Sequence, residues 1–127
     1  MNAPFPQRFT TDWKKKLPAA DSRTRIRGML GLAMRAGKVI IGTEQVCLAL
    51  PRRGRVRLVM VSAGASDATK KKVTVKCAFY GVESIEVEMD TNELGSLLGK
   101  TYAPACVAVT DDGFAREILK AHMSDKI

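Results

Sequence analysis

The chain has 127 residues, 46% of them hydrophobic and 27% charged, the balance of one soluble globular domain whose core needs no disulfide or metal staple. No apolar run approaches the roughly 18 residues of a membrane span, no apolar stretch near the N-terminus has the form of a secretory signal, and three widely spaced cysteines, Cys47, Cys77 and Cys106, form neither a disulfide framework nor a zinc site. The net charge is +8 and uneven: residues 1–57 carry 13 Lys and Arg against 3 acids, whereas residues 58–127 carry 8 against 10. A basic half of this kind suits a polyanionic partner, nucleic acid ahead of a membrane surface, because no long basic amphipathic helix is present. With odd, unpaired cysteines, a reducing cytoplasmic location is expected.

Residues 1–23 read as a basic tail. Pro4, Pro6 and Pro18 interrupt it, and Lys14, Lys15 and Lys16 form a charge run. Within it Phe5, Phe9, Trp13 and Leu17 recur every four residues, one apolar stripe if a helix forms between the prolines. That stripe suits packing on the parent domain or docking on a partner. The domain is expected over residues 24–122, with a short tail at 123–127.

From residue 24, Ile26, Met29, Leu30 and Ala33 follow helical spacing, with Gly37 as the residue just past the helix end. Val39-Ile40-Ile41 predicts a short strand. Gly42-Thr43 opens a second helix carrying Val46, Cys47, Ala49 and Leu50, with Thr43 as its expected N-cap, ended by Pro51 and Gly54. Val56–Ser62 predicts a buried strand, and Ser66 or Asp67 caps a helix holding Val73, Cys77 and Tyr80 that Gly81 stops. Val82–Met89 predicts a strand, and Thr91 is expected to cap a short helix with Leu94, Leu97 and Leu98 on one face. Ala105–Thr110 predicts a last strand, and Phe114, Ile118 and Leu119 a last helix. Helices and strands alternate throughout, so the expected fold class is α/β, a three-layer α/β/α sandwich.

Most chemical motifs are missing. There is no G-x-x-x-x-G-K-[ST] loop, and Gly28, Gly31 and Gly37 fall within or at the end of a helix instead of after a strand. His122 is the only histidine and has no nucleophile beside it. The cysteines sit in apolar stretches and read as small buried hydrophobes. Asp111-Asp112 reads as a helix cap instead of a catalytic pair. Lys70, Lys71, Lys72 and Lys76 read chiefly as a solvated surface. Neither catalysis, a metal nor a cofactor is expected.

One constellation stands apart. Lys38 precedes the first strand, and Gly42-Thr43-Glu44-Gln45 begins a helix whose free N–H groups suit phosphates or base-edge acceptors. Arg35, Arg52, Arg53, Arg55 and Arg57 surround it in sequence. Residues alone leave two readings open, a plain capped helix in a basic protein and an RNA-contacting helix start.

The stretches L-G-L-A-M-R-A-G-K-V-I-I-G-T-E-Q-V-C-L-A-L, L-V-M-V-S-A-G-A-S and L-G-S-L-L-G-K-T-Y-A-P-A-C-V-A-V-T-D-D-G-F-A, in this order, resemble the kink-turn-binding ribosomal proteins founded on large-subunit proteins seven-Ae and thirty-e. Within them they are most similar to the small bacterial YlxQ branch. The resemblance covers about 90 residues and not the tail. It implies a mixed four-stranded sheet and a non-catalytic RNA-binding role, and ribosome association is expected; nothing in the sequence demands more than a monomer, and neither a membrane nor a cofactor is expected. It implies recognition of tandem sheared G·A pairs by the helix start and by a loop before the last strand. Carried onto this chain, Gly42 allows close backbone approach, Thr43 caps the helix, and Glu44 and Gln45 read base edges. Lys38, Arg35 and Lys100 hold phosphates, and Thr101 and Tyr102 form the loop, with Tyr102 packing on an extruded base or sugar.

The helix start departs from the family's frequent G-T-N-E-x-x-K. Glu44 replaces Asn, Gln45 replaces Glu, Leu48 replaces Lys, and two family acids after the second strand correspond to Ala63 and Gly64. Weaker kink-turn binding or a shifted RNA preference is expected. The alternative is a protein-interaction module of the ribosome or of transcription and translation with only non-specific RNA affinity. A detached substrate-recognition domain related to RNA-modifying enzymes is a further reading.

Overall fold

The structure, a computed structural model, describes residues 21–124. The four-residue recurrence of Phe5, Phe9, Trp13 and Leu17 and the lysine run Lys14–Lys16 lie outside the described residues. The elements, in chain order, are α1 (Asp21–Arg35), β1 (Val39–Ile41), α2 (Thr43–Ala49), β2 (Leu58–Ser62), α3 (Asp67–Tyr80), β3 (Ser84–Val87), α4 (Thr91–Leu97), β4 (Cys106–Val109) and α5 (Asp112–Ser124). Two boundaries move relative to the sequence reading. α1 begins at Asp21, inside the expected tail, and α5 continues through Ser124.

The four strands form one mixed sheet in the order β1-β4-β2-β3. β4 runs antiparallel to both β1 and β2, and β2 and β3 are parallel. Every residue of β2 and β4 is buried, because the sheet is covered on both faces. Alternate residues serve different cores. Leu58, Met60, Val107 and Val109 point to Ile26, Leu30, Leu94 and Ile118 of α1, α4 and α5. Val59, Val61, Cys106 and Ala108 point to Val46, Ala49, Val73 and Cys77 of α2 and α3. These are the three layers that the alternating pattern anticipates.

Helix ends follow local chemistry. After α1 the amide of Gly37 donates to Met34 O (3.1 Å) and that of Lys38 to Ala33 O (2.9 Å), the paired bonds of a Schellman turn. Gly37 meets its demand for positive φ, at 71°. The same pair of bonds recurs after α3 and α4. Ser66 caps α3 by accepting from the Thr69 amide, and Asp111 Oδ2 accepts from the Phe114 amide at 3.1 Å, as the sequence suggests. Two expected caps are displaced by one residue. Asp90, not Thr91, caps α4, in a reciprocal box with Glu93. Gly42, not Thr43, holds the N-cap position of α2, with φ 104° and no side-chain cap.

Other side chains also depart from expectation. Tyr80 lies exposed and not in the α3 core. In α5 the buried stripe is Ala115, Ile118 and Ala121, with Phe114 and Leu119 packed at its margin. Cys77 and Cys106 are fully buried and Cys47 is half-buried.

Candidate nucleic-acid interface

The register fixes which loops gather at each end of the sheet. Ile41 lies opposite Val107, Cys106 opposite Val61, and Ser62 opposite Val87. The chain leaving β1, β2 and β3 and the chain approaching β4 therefore meet at one end. The start of α2, the Ala63–Ser66 turn, the Glu88–Asp90 turn and the Gly99–Ala105 loop all lie there.

Backbone bonds and one buried hydroxyl knit this end together. The Gly42 amide donates to Cys106 O (3.0 Å), so the helix start is pinned to the first residue of β4. Thr43, one residue inside α2, accepts a long contact from the Cys106 thiol, Sγ to Oγ1 3.8 Å. Thr43 does not cap because it already lies inside the helix and the N-cap position falls on Gly42. The Ser62 amide donates to Ala105 O (2.8 Å). Ser62 Oγ donates to Met89 O (2.6 Å) and accepts from the Gly64 amide (3.0 Å). Both roles of this buried hydroxyl are filled.

Gly95 of α4 seats the Gly99–Ala105 loop. A Cβ built on Gly95 would collide with the carbonyl oxygen of Tyr102 and meet Pro104 Cδ at 3.3 Å. Sequence reading missed Gly95 and Ser62. Their signals were a glycine inside a predicted helix and a lone hydroxyl ending an apolar strand.

The expected site residues divide between the two ends of the sheet. Gly42, Thr43, Glu44 and Gln45 share one end with Lys100, Thr101 and Tyr102, through the bonds that hold Cys106 and Gly95. Glu44, Gln45, Lys100, Thr101 and Tyr102 are exposed, Tyr102 by 54%. Arg35 and Lys38 lie at the other end, with Lys38 O accepting from the Thr110 amide. Across the extended β1, Lys38 lies about 13 Å from Gly42. The Arg52–Arg57 segment joins Arg35 and Lys38 there, as the Arg57 amide donates to Val109 O.

A groove of about 490 Å³ runs between β1 and α2, with Gln45 and Leu48 toward one end and Arg52 and Arg55 toward the other. It joins Gln45 on the helix-start side to Arg52 and Arg55 on the other. Leu48 is 70% exposed in it. Among the described residues, Arg35, Lys38, Arg52, Arg53, Arg55 and Arg57 enter no ion pair. By contrast Arg23 and Arg27 are held by Glu88 (2.7 Å) and Glu93 (2.9 Å). Glu93 lies below the usual carboxylate range because the Asp90 amide and then Arg27 donate to it.

Residues 24–119 match the family described as Ribosomal protein L7Ae/L30e/S12e/Gadd45. The chain belongs to this family. Its relatives include RNA-binding protein YlxQ of Bacillus subtilis (strain 168), 44% identical over 91 residues, spanning 72% of this chain and 88% of the relative. A solved structure from Bacillus halodurans C, described as a protein with unknown function, is 35% identical with a TM-score of 0.69, covering 76% of this chain and 95% of that one. The Giardia lamblia 15.5kD RNA binding protein shares the fold at a TM-score of 0.67 and 14% identity, covering 84% of this chain and 88% of its own. As in the sequence reading, family membership and a mixed four-stranded α/β/α sandwich go together.

Proposed function

We propose that the protein binds structured RNA without catalysing a reaction, and that its target is a kink-turn-like bend in a cytoplasmic, ribosome-associated RNA. The feature that supports this reading is that Gly42–Gln45 and Lys100–Tyr102 lie at one end of the sheet, while arginines that enter no ion pair among the described residues lie at the other. Gly42, having no side chain, leaves the amides of the first α2 turn open to an acceptor. Gln45 offers an amide that both donates and accepts, suited to a sheared G·A edge. Glu44 tolerates RNA only where it accepts from base amino or imino groups, since it repels phosphate. Tyr102 supplies an exposed ring on which an unstacked base or sugar packs. Lys100, Arg35 and Lys38 hold phosphates, the last two beyond β1, so the footprint extends past the G·A pairs. Binding selects one bent conformer from a flexible RNA ensemble.

The relatives' names support RNA as the partner, with YlxQ of Bacillus subtilis described as RNA-binding. The direct test titrates the protein with a kink-turn RNA and with a matched RNA in which both G·A pairs are Watson–Crick pairs. Clear preference for the kink-turn is expected, and Gln45→Ala is expected to reduce it by about 1–3 kcal/mol, by analogy with bidentate base contacts in DNA. Equal affinity for both RNAs would sink the kink-turn reading and leave the non-specific interaction module in its place.

A further inference from the structure

A second groove, of about 550 Å³, runs along the outer side of α1 and ends at Arg35, the one proposed RNA contact that lines it. Its apolar lining includes Met29 and Leu32 of α1 and Leu97 of α4, and Leu32 is 48% exposed. Gly28 and Gly31 also line it. Each stands inside a helix, where glycine weakens the structure relative to alanine. A Cβ at either would meet nothing within 4 Å, so no neighbour among the described residues requires glycine there. Bare backbone flanked by Met29, Leu32 and Leu97 is a seat for large rings that approach closely.

The chain carries such rings immediately upstream. Phe5, Phe9, Trp13 and Leu17 recur every four residues, and only three residues, Pro18-Ala19-Ala20, separate Leu17 from the start of α1. A connection of that length suits two antiparallel helices, and a proline at position 18 is compatible with the end of an upstream one. As a helix, residues 5–17 would be about 20 Å long, against about 15 Å from Arg25 to Arg35 along the groove. The rim carries both signs of charge, Arg25 and Arg35 with Glu117. We propose that residues 5–17 fold back antiparallel to α1 and seat their Phe5–Leu17 stripe in this groove, making the basic N-terminal segment a fourth layer of the domain.

Trp13 is the only tryptophan in the chain and reports the docking directly. In the dilute full chain without RNA, its emission is expected to be blue-shifted from that of free tryptophan and its quenching by acrylamide several-fold weaker. Phe9→Ser, and separately Leu32→Glu, is expected to abolish both signals while the circular dichroism melt of the domain persists. Phe9→Ser removes a ring from the tail and leaves the domain's own core intact. Emission and quenching like those of free tryptophan in the parent chain would overturn the proposal. So would protection that survives Leu32→Glu in a folded chain. Protection lost on dilution would assign the groove to a second copy, and protection acquired only with kink-turn RNA would assign the stripe to RNA; both overturn it.

Discussion

Gly95→Ala forces the new methyl against the carbonyl oxygen of Tyr102 and the ring of Pro104. Because that carbonyl is backbone, relief requires moving the loop or α4. Urea unfolding is expected to show a loss of about 1–3 kcal/mol, and kink-turn affinity is expected to fall with the displaced Lys100–Tyr102 loop. The buried thiols make a separate prediction. Burial pushes Cys77 and Cys106 from an ordinary 9.0 up to about 11. The unfolded chain therefore loses these protons first, and stability falls as pH rises from 9 toward 11, at most by about 1.4 kcal/mol per pH unit per thiol. Chemical melts across that range are expected to show a shallower decline for Cys77→Ala than for the parent. Both cysteines were legible as buried from their apolar neighbours. The roles of Thr43 and Thr91 were not, since spacing leaves a helix start uncertain by a residue or two. For Thr91 the better clue was present in Asp90 and Glu93, three apart. For Thr43 it was not, because a glycine at φ 104° leaves no side-chain signature.

α4 depends on its first turn more than its length suggests. It has seven residues, too few to persist without tertiary support. Asp90 Oδ1 accepts from the Glu93 amide at 2.7 Å, and Glu93 Oε1 accepts from the Asp90 amide at 3.0 Å. Asp90→Ala is expected to cost about 1 kcal/mol in thermal or urea unfolding, with amide exchange accelerated across Thr91–Leu97. The existence and order of the elements were plain in the sequence, because helical and strand periodicity alternate between glycine stops. Their arrangement in the sheet was not. Nothing local in Val39–Ile41 says that it pairs antiparallel with Cys106–Val109, and that pairing decides where the site residues fall. Lys38 is four positions from Gly42 in sequence, yet an extended strand carries it to the opposite end of the sheet. Conversely, Cys106 is far from Gly42 in sequence and bonded to it in space.

Across the whole molecule, charge follows the same division. The helix-start end of the sheet gathers Glu44, Glu88, Asp90 and Glu93, with Arg23 and Arg27 spent on two of these acids. The opposite end holds Glu83, Asp111 and Asp112 but gathers twice as many cations, Arg35, Lys38, Arg52, Arg53, Arg55 and Arg57, which enter no ion pair among the described residues. The proposed recognition residues and most of the phosphate attraction thus lie at different ends, and mutation should separate them. Reversing charge at Arg53, Arg55 and Arg57 together is expected to weaken binding to the kink-turn RNA and to its Watson–Crick control alike. The slope of log affinity against log salt should shrink by about 0.7–0.9 for each phosphate that is no longer neutralised, while the ratio of the two affinities stays near that of the parent. Gln45→Ala is expected to do the reverse, lowering the ratio and leaving the slope unchanged, because a neutral amide displaces no counterion. Titrations of both RNAs at several salt concentrations read slope and ratio from one data set. If the arginine variant loses the ratio as well, the far end shapes the bend itself, and the division between attraction and recognition is wrong.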